Sequence, residues 1–228
     1  VEVPPPPEGR PTYRDMAGKM QAEGVTAKTM ADKIMKLRQI AAGFLYDGDE
    51  VIWVHDGKIN AACGLLGQND LSSWAGKLGI VKSRIEPTLI VYQFVEELAR
   101  LRERLGARLA ELNDPGAVDR WNAGEVEVLA LYPGSGGHGL NLAKGGHRII
   151  WLGPVWSRDQ FDQTNARLWR RGQRAPVQVV TIEAADTVDQ LVSGRLADKG
   201  ELLPAFLDHV AAVTSQPGQG APVSGAPF

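Results

Sequence analysis

The stretch TLIVYQFVEELARLRERL, residues 88–105, decides the fold. Its first five residues are a continuous apolar run, which suits a strand buried on both faces. The period then changes. Val95, Leu98, Leu101 and Leu105 fall at helical spacing, so one stretch predicts a strand feeding a helix. The strand signal recurs in VEVLAL (126–131), RIIWL (148–152) and VQVVTI (177–182), and helical patterns occupy 157–171 and 187–198. This alternation predicts an α/β fold: a parallel β-sheet flanked by helices, with right-handed crossovers. Ligands of such sheets gather at the carboxyl ends of the strands.

Upstream, residues 26–43 place Met30, Ile34, Leu37, Ile40 and Ala41 on one helical stripe, with Gly43 as the stop, and predict an N-terminal helical extension. VIWVH (51–55) reads as a short strand, and 58–84 as two short helical patterns with a loop. The first dozen residues contain four consecutive prolines, which cannot donate backbone hydrogen bonds, and predict an extended linker. From Ser215 the chain is rich in Gly, Pro and Ser and reads as a flexible tail. The expected division is a proline-rich linker over 1–25, a helical extension leading into the sheet domain over 26–86, the sheet domain over 87–214, and the tail over 215–228.

Composition narrows the chemistry. A chain of 228 residues, 43% hydrophobic and 23% charged, is long enough to bury one large α/β core. Its formal net charge of −2 argues against coating a nucleic acid by bulk charge, so any polyanion contact must be local. Cys63 stands alone, which leaves neither a disulfide framework nor a thiolate zinc site. His55, His138, His147 and His209 lack metal-ligand spacing, so no metal site is expected. No apolar run approaches the roughly 20 residues of a membrane span, and the N-terminus has no secretory pattern. The expectation is a cytoplasmic protein without membrane contact.

Two motifs sit where the sheet geometry wants them. YPGSGGHGLNL (132–142) follows the strand ending at Leu131, and its glycines let backbone turn sharply and approach a ligand. No Lys-Ser/Thr pair follows, so it is not a P-loop. It also lacks the order of a dinucleotide fingerprint, and no acidic ribose ligand lies about 20 residues on. The second motif is QTNARLWRRGQ (163–173). Ser157 is a suitable N-cap for its helix, and Phe161, Leu168 and Trp169 can face the sheet. Gln163, Arg167 and Arg170 are spaced to share one helical face, an amide and two planar guanidiniums aligned as a clamp for a polyanion. Arg171 and Arg174 are explained by the helix dipole alone.

The run GSGGHGLNL, then RIIWLGPVWS, then QTNARLWRRGQRAPVQVVTI resembles motifs V and VI of superfamily-two helicases of the Swi/Snf-like branch, in the form found in phage and prokaryotic members. In motif VI a Gln is followed by arginines four and seven residues on and then Gly-Gln; here these are Gln163, Arg167, Arg170, Gly172 and Gln173. PTLIVYQFVEELARLRERLG is similar to motif IV, and LRQIAAGFLY to the segment that enters the second lobe. The resemblance implies a C-terminal RecA-like lobe. It implies Arg170 as arginine finger and Arg167 as second phosphate ligand, with Gln163, Gly137, Gly139 and Asn141 near the nucleotide. It also implies Ser135, Gly136 and Gln93 as nucleic-acid contacts. ATP with Mg²⁺ is the implied cofactor, an N-terminal RecA-like lobe and DNA the implied partners, and 1–25 the end of an interlobe connection. Neither a P-loop lysine nor an acidic box for Mg²⁺ occurs in the chain, so the missing lobe would hold the metal and the isolated chain is expected to be inactive. The chain departs from the pattern at Tyr132 and Pro133, where a hydroxyl residue is common, and at Gly153, where eukaryotic members commonly have Asp. A stand-alone nucleic-acid-binding or regulatory module is the other reading.

Overall fold

A computed structural model describes residues 1–4, 6–67, 85–135, 140–197 and 202–215. In chain order the elements are β1 (Glu2–Val3), α1 (Gly9–Lys19), β2 (Gln21–Ala22), β3 (Val25–Thr26), α2 (Met30–Ala42), β4 (Phe44–Asp47), β5 (Glu50–Trp53) and α3 (Gly57–Leu65). There follow β6 (Thr88–Val91), α4 (Val95–Leu105), β7 (Leu109–Glu111), α5 (Ala117–Asn122), β8 (Val128–Leu131) and β9 (Arg148–Trp151). The last are α6 (Arg158–Asn165), β10 (Gln178–Thr181), β11 (Glu183–Ala184), α7 (Val188–Ala197) and α8 (Leu202–Ser215).

The expected sheet is present. Five strands run in the order β10-β9-β6-β8-β7, every neighbouring pair parallel. All five therefore point their carboxyl ends to one edge. Central strand β6 is buried throughout, and its residues alternate between two cores as a period of two requires. Ile90, with Val128 and Ile150, packs under Leu98, Leu101 and Leu105 of α4 and Ile59 and Ala62 of α3. Leu89 and Val91, with Leu129 and Trp151, face Trp121 of α5 and Leu168. Val95 does not join the α4 stripe: at the first helical position it is 66% exposed, and the buried face begins at Glu97 and Leu98.

The N-terminal expectation is corrected. The first dozen residues do not form an extended linker: α1 starts at Gly9, and Tyr13, Met16 and Ala17 pack with Leu37 and Ile40 of α2, Leu45, Val188 and Phe206 in a third core. Past the proline run, TYRDMAGKM carries an apolar face strong enough to make a helix. Helix α2 is as expected in its stripe, apart from an exposed Met30, and ends at Gly43 with φ 111°, a left-handed stop suited to glycine. The strand at VIWVH is real but shorter, and it pairs with β4 in a hairpin that sequence reasoning left out. The first helical pattern of 58–84 is α3; the rest lies outside the described residues, as does the tail beyond Ser215.

Helix α8 was not expected from sequence. It is held by Phe206, which is buried, and by Tyr13, whose hydroxyl accepts from the Val188 N–H at 2.6 Å and meets His209 Nε2 at 2.9 Å. With Tyr13 donating to Nε2, the imidazole is neutral, and burial pushes its pKa below the ordinary value, against the pull of Asp186. The folded state therefore disfavours the proton, so stability is present above pH 6.5 or so and declines as pH falls through the histidine range. His55, also depressed by burial, adds to the same slope. His209→Gln should flatten part of the fall in melting temperature between about pH 7 and pH 5; a slope unchanged from the parent protein would remove His209 from this account.

Candidate functional site

The site forms where the carboxyl ends of β8 and β9 meet the chain after α6. Ser157 caps α6 by accepting from Gln160 N at 3.2 Å. The helix is shorter than 157–171 predicts. It ends at Asn165, whose Oδ1 accepts from Trp151 Nε1 of β9 at 3.1 Å. Tighter bonds follow, Arg167 N to Thr164 O at 3.2 Å and Leu168 N to Asn165 O at 3.1 Å, while Leu168 drives into the core. Gln163 is in the helix, but Arg167 and Arg170 both lie past its end, and the single helical face expected for all three is corrected. Trp169, expected to face the sheet, is 79% exposed.

Arginine 167 joins the two motifs. Its Nη2 donates to the Ser135 carbonyl at 2.8 Å, and its own carbonyl accepts from Leu142 N at 3.0 Å. The glycine-rich loop is therefore gripped at both described ends by one residue of the second motif. Burial lowers the pKa of Arg167, and the Arg170 cation lowers it further. Arg170 Nε donates to Ala166 O at 3.0 Å, closing the last helical turn. Gly172, at φ 102°, then reverses the chain. Gln173 Nε2 reaches back to Ala143 O at 3.1 Å and Gly146 O at 2.9 Å, pinning the turn that precedes β9.

The remaining expected residues divide. Asn141 is exposed beside this seam; its Oδ1 accepts from Ala143 N at 3.1 Å and shapes the local turn. Ser135 turns its hydroxyl inward to Tyr132 O at 2.7 Å. Gln163 is exposed on α6. Gly136, Gly137, His138 and Gly139 lie outside the described residues. Gln93 sits apart, at the end of β6, with both ends of its amide used internally. Nε2 donates to Gly153 O at 2.8 Å and Pro154 O at 2.9 Å, while Oε1 accepts from Arg38 Nη2.

Sequence reasoning missed this second, buried group. Arg38 of α2 also donates to Pro154 O at 3.2 Å and lies over the rings of Phe94 and Trp156. Trp156 is thereby occupied by Arg38. Lys58 and Asp189 form an ion pair with side chains only 4% and 3% exposed, and Asp189 also accepts from Ala184 N at 3.0 Å. A Cβ at Gly153 would stand 3.1 Å from Lys58 Nζ and 3.3 Å from Gln93 Nε2, so the glycine at this position makes room for both. The readable signal was a cation within an apolar stripe: Arg38 shares the α2 face with Ile34, Leu37 and Ala41. Together these groups hold the loop from β9 to α6, and so set where the arginines begin.

Among known proteins, the chain is 27% identical over 219 residues to protein p41 of Acyrthosiphon pisum secondary endosymbiont phage 1, covering 91% of this chain and 45% of that protein. It is 30% identical over 120 residues to the DNA repair and recombination protein RAD54-like of Drosophila ananassae, covering 50% of this chain and 15% of that one. The chain thus spans less than half the length of these relatives. Among solved structures, the C-terminal part of the Fun30 ATPase domain superposes with a TM-score of 0.49 at 20% identity, over 75% of this chain and 55% of that one. No family model matches. Motif order, the parallel sheet and this sequence similarity agree: the chain has the α/β fold of a RecA-like lobe and is similar to the Swi/Snf-like branch of superfamily-two helicases.

Proposed function

We propose that this lobe supplies the arginine side of the ATP site in a DNA helicase or translocase whose other side is an N-terminal RecA-like lobe. The observation that carries the reading is the joining of the two motifs by Arg167, whose guanidinium donates to the Ser135 carbonyl while its own carbonyl accepts from Leu142 N, with Arg170 closing the turn that follows. Guanidinium matches the oxygens of a nucleotide's terminal phosphates. In this reading Arg170 is the finger, Arg167 the second phosphate ligand, and Gln163 orients the nucleotide or the attacking water. Asn141, with Gly137 and Gly139, approaches the nucleotide from the loop. Carboxylates of the first lobe would hold Mg²⁺, which when bound neutralises phosphate charge. DNA contact falls to Ser135 and Gly136. Gln93, drawn inward, supports the neighbouring loop instead. Such a motor works in the cytoplasm of a bacterium or phage-infected cell; among the described residues no helix is long and apolar enough to cross a membrane.

The test begins with the chain alone. With ATP, Mg²⁺ and DNA it should release phosphate no faster than buffer, because it carries one side of the cleft only. Joined to a first lobe bearing the P-loop and acidic box, it should turn over ATP in a DNA-dependent way. Magnesium-dependent turnover by the chain alone, abolished by Arg170→Ala, would contradict the division of labour. A joined protein that binds DNA and leaves ATP intact would favour the stand-alone binding module.

A further inference from the structure

The outer edge of β10 is built to take another strand. Gln178 N–H donates to His147 O at 2.8 Å and Ile182 N–H to Trp151 O at 2.9 Å, both toward β9. By the two-residue repeat of a strand, the N–H groups of Val179 and Thr181 point the other way. Among the described residues β9 is the only strand paired with β10. Downstream, the same outer row is already filled by β1: Glu183 N donates to Val1 O at 2.9 Å, Ala185 N to Val3 O at 2.8 Å, and the Val1 amine to Thr181 O at 2.6 Å. This pairing is parallel, with Glu2 opposite Glu183 and Val3 opposite Ala184. Beside the open half of the edge lies a groove of about 800 Å³ between β10 and α6, lined by Phe161, Ala166, Trp169, Val177 and Val179. Trp169 is 79% and Val179 39% exposed there.

We propose that this edge and groove receive the stretch of polypeptide leading into Val1, as a parallel strand that prolongs β1 along β10. Continuity of register is the argument. Upstream of Val1, the first, third and fifth residues would stand opposite Thr181, Val179 and Val177, on the face of the groove. The second and fourth would exchange hydrogen bonds with the main chain of Val177, Val179 and Thr181. The fitting occupant is therefore an extended segment with aliphatic or β-branched residues at alternate positions. That the segment is the connection from a first lobe rests on the function proposed above; the pairing itself does not. If so, the connection is strapped to the side of α6, the helix that leads into the arginines.

The probe is the chain with Val-Thr-Val-Thr-Val added before Val1, compared with the unextended chain and with a Gly-Ser-Gly-Ser-Gly addition. In the Val-Thr form, amide exchange at Val179 and Thr181 should slow by about tenfold or more. Trp169 emission should shift to the blue and resist iodide quenching, with the protein monomeric by light scattering. The Gly-Ser form should do neither. Val179→Pro removes an outward N–H while sparing the donors to β9, so it should keep the fold and lose the protection at Thr181. Unchanged exchange in the Val-Thr form overturns the proposal. So does a dimer, which would make a second copy the occupant, or protection in the unextended chain that disappears when residues 216–228 are removed. None of these readouts involves ATP, so their failure is distinct from failure of the motor reading.

Discussion

Arg170→Lys, made in a protein where this lobe is joined to a first lobe, should cut ATP turnover at saturating ATP and DNA by about 10³-fold or more, the range in which arginine fingers act. Lysine keeps the charge but replaces a planar fork with a point donor, so a contact depending on two oriented N–H groups is lost while long-range attraction survives. The bond from Arg170 Nε to Ala166 O adds a structural role that must be separated out. A lost cap costs stability on the order of 1 kcal/mol and should appear as a small drop in melting temperature. Arg171→Lys is the control. It lies one residue on, is exposed, and should change turnover little. Equal, small effects at both positions would leave the stretch an ordinary basic helix end.

Lys58→Met should destabilise the chain by about 3–5 kcal/mol, measured as a shift of the urea midpoint, because it strands a carboxylate in the interior. Lys58 and Asp189 are almost wholly buried, and the pair bridges α3 to the start of α7. Against a total stability of about 5–15 kcal/mol, that is a large share. The double change Lys58→Met with Asp189→Leu should recover part of the loss, since neither charge then remains. Recovery would stay incomplete because the Ala184 N–H loses its acceptor. A single change costing no more than a surface substitution would show the pair to be hydrated.

How much of this was legible follows from where information sits in a chain. The run at 88–105 disclosed strand, helix and buried face because period is a local property and β6 is buried on both sides. Gly43 disclosed a helix end for the same reason. The arginine spacing predicted one helical face that the structure breaks: nothing local says that α6 stops at Asn165, whose side chain is taken by Trp151. Four prolines masked α1, whose apolar face acquires a partner only when α2 folds against it. The group around Arg38, Lys58 and Gln93 was the least legible, because it draws α2, α3, β6, the loop after β9 and α7 from across the chain. Pairings over such separations leave no periodic trace.

The grip of Arg167 on the glycine-rich loop has an evolutionary corollary. It is made to a main-chain oxygen of residue 135, so it is blind to the side chain there. A lineage could therefore exchange Ser135, giving up only its hydroxyl bond to Tyr132 O, and the aim of the arginine would be inherited intact. What it could not readily change is the path of the backbone between Tyr132 and Ser135. The surface open to selection and the framework shielded from it are thus two parts of one residue.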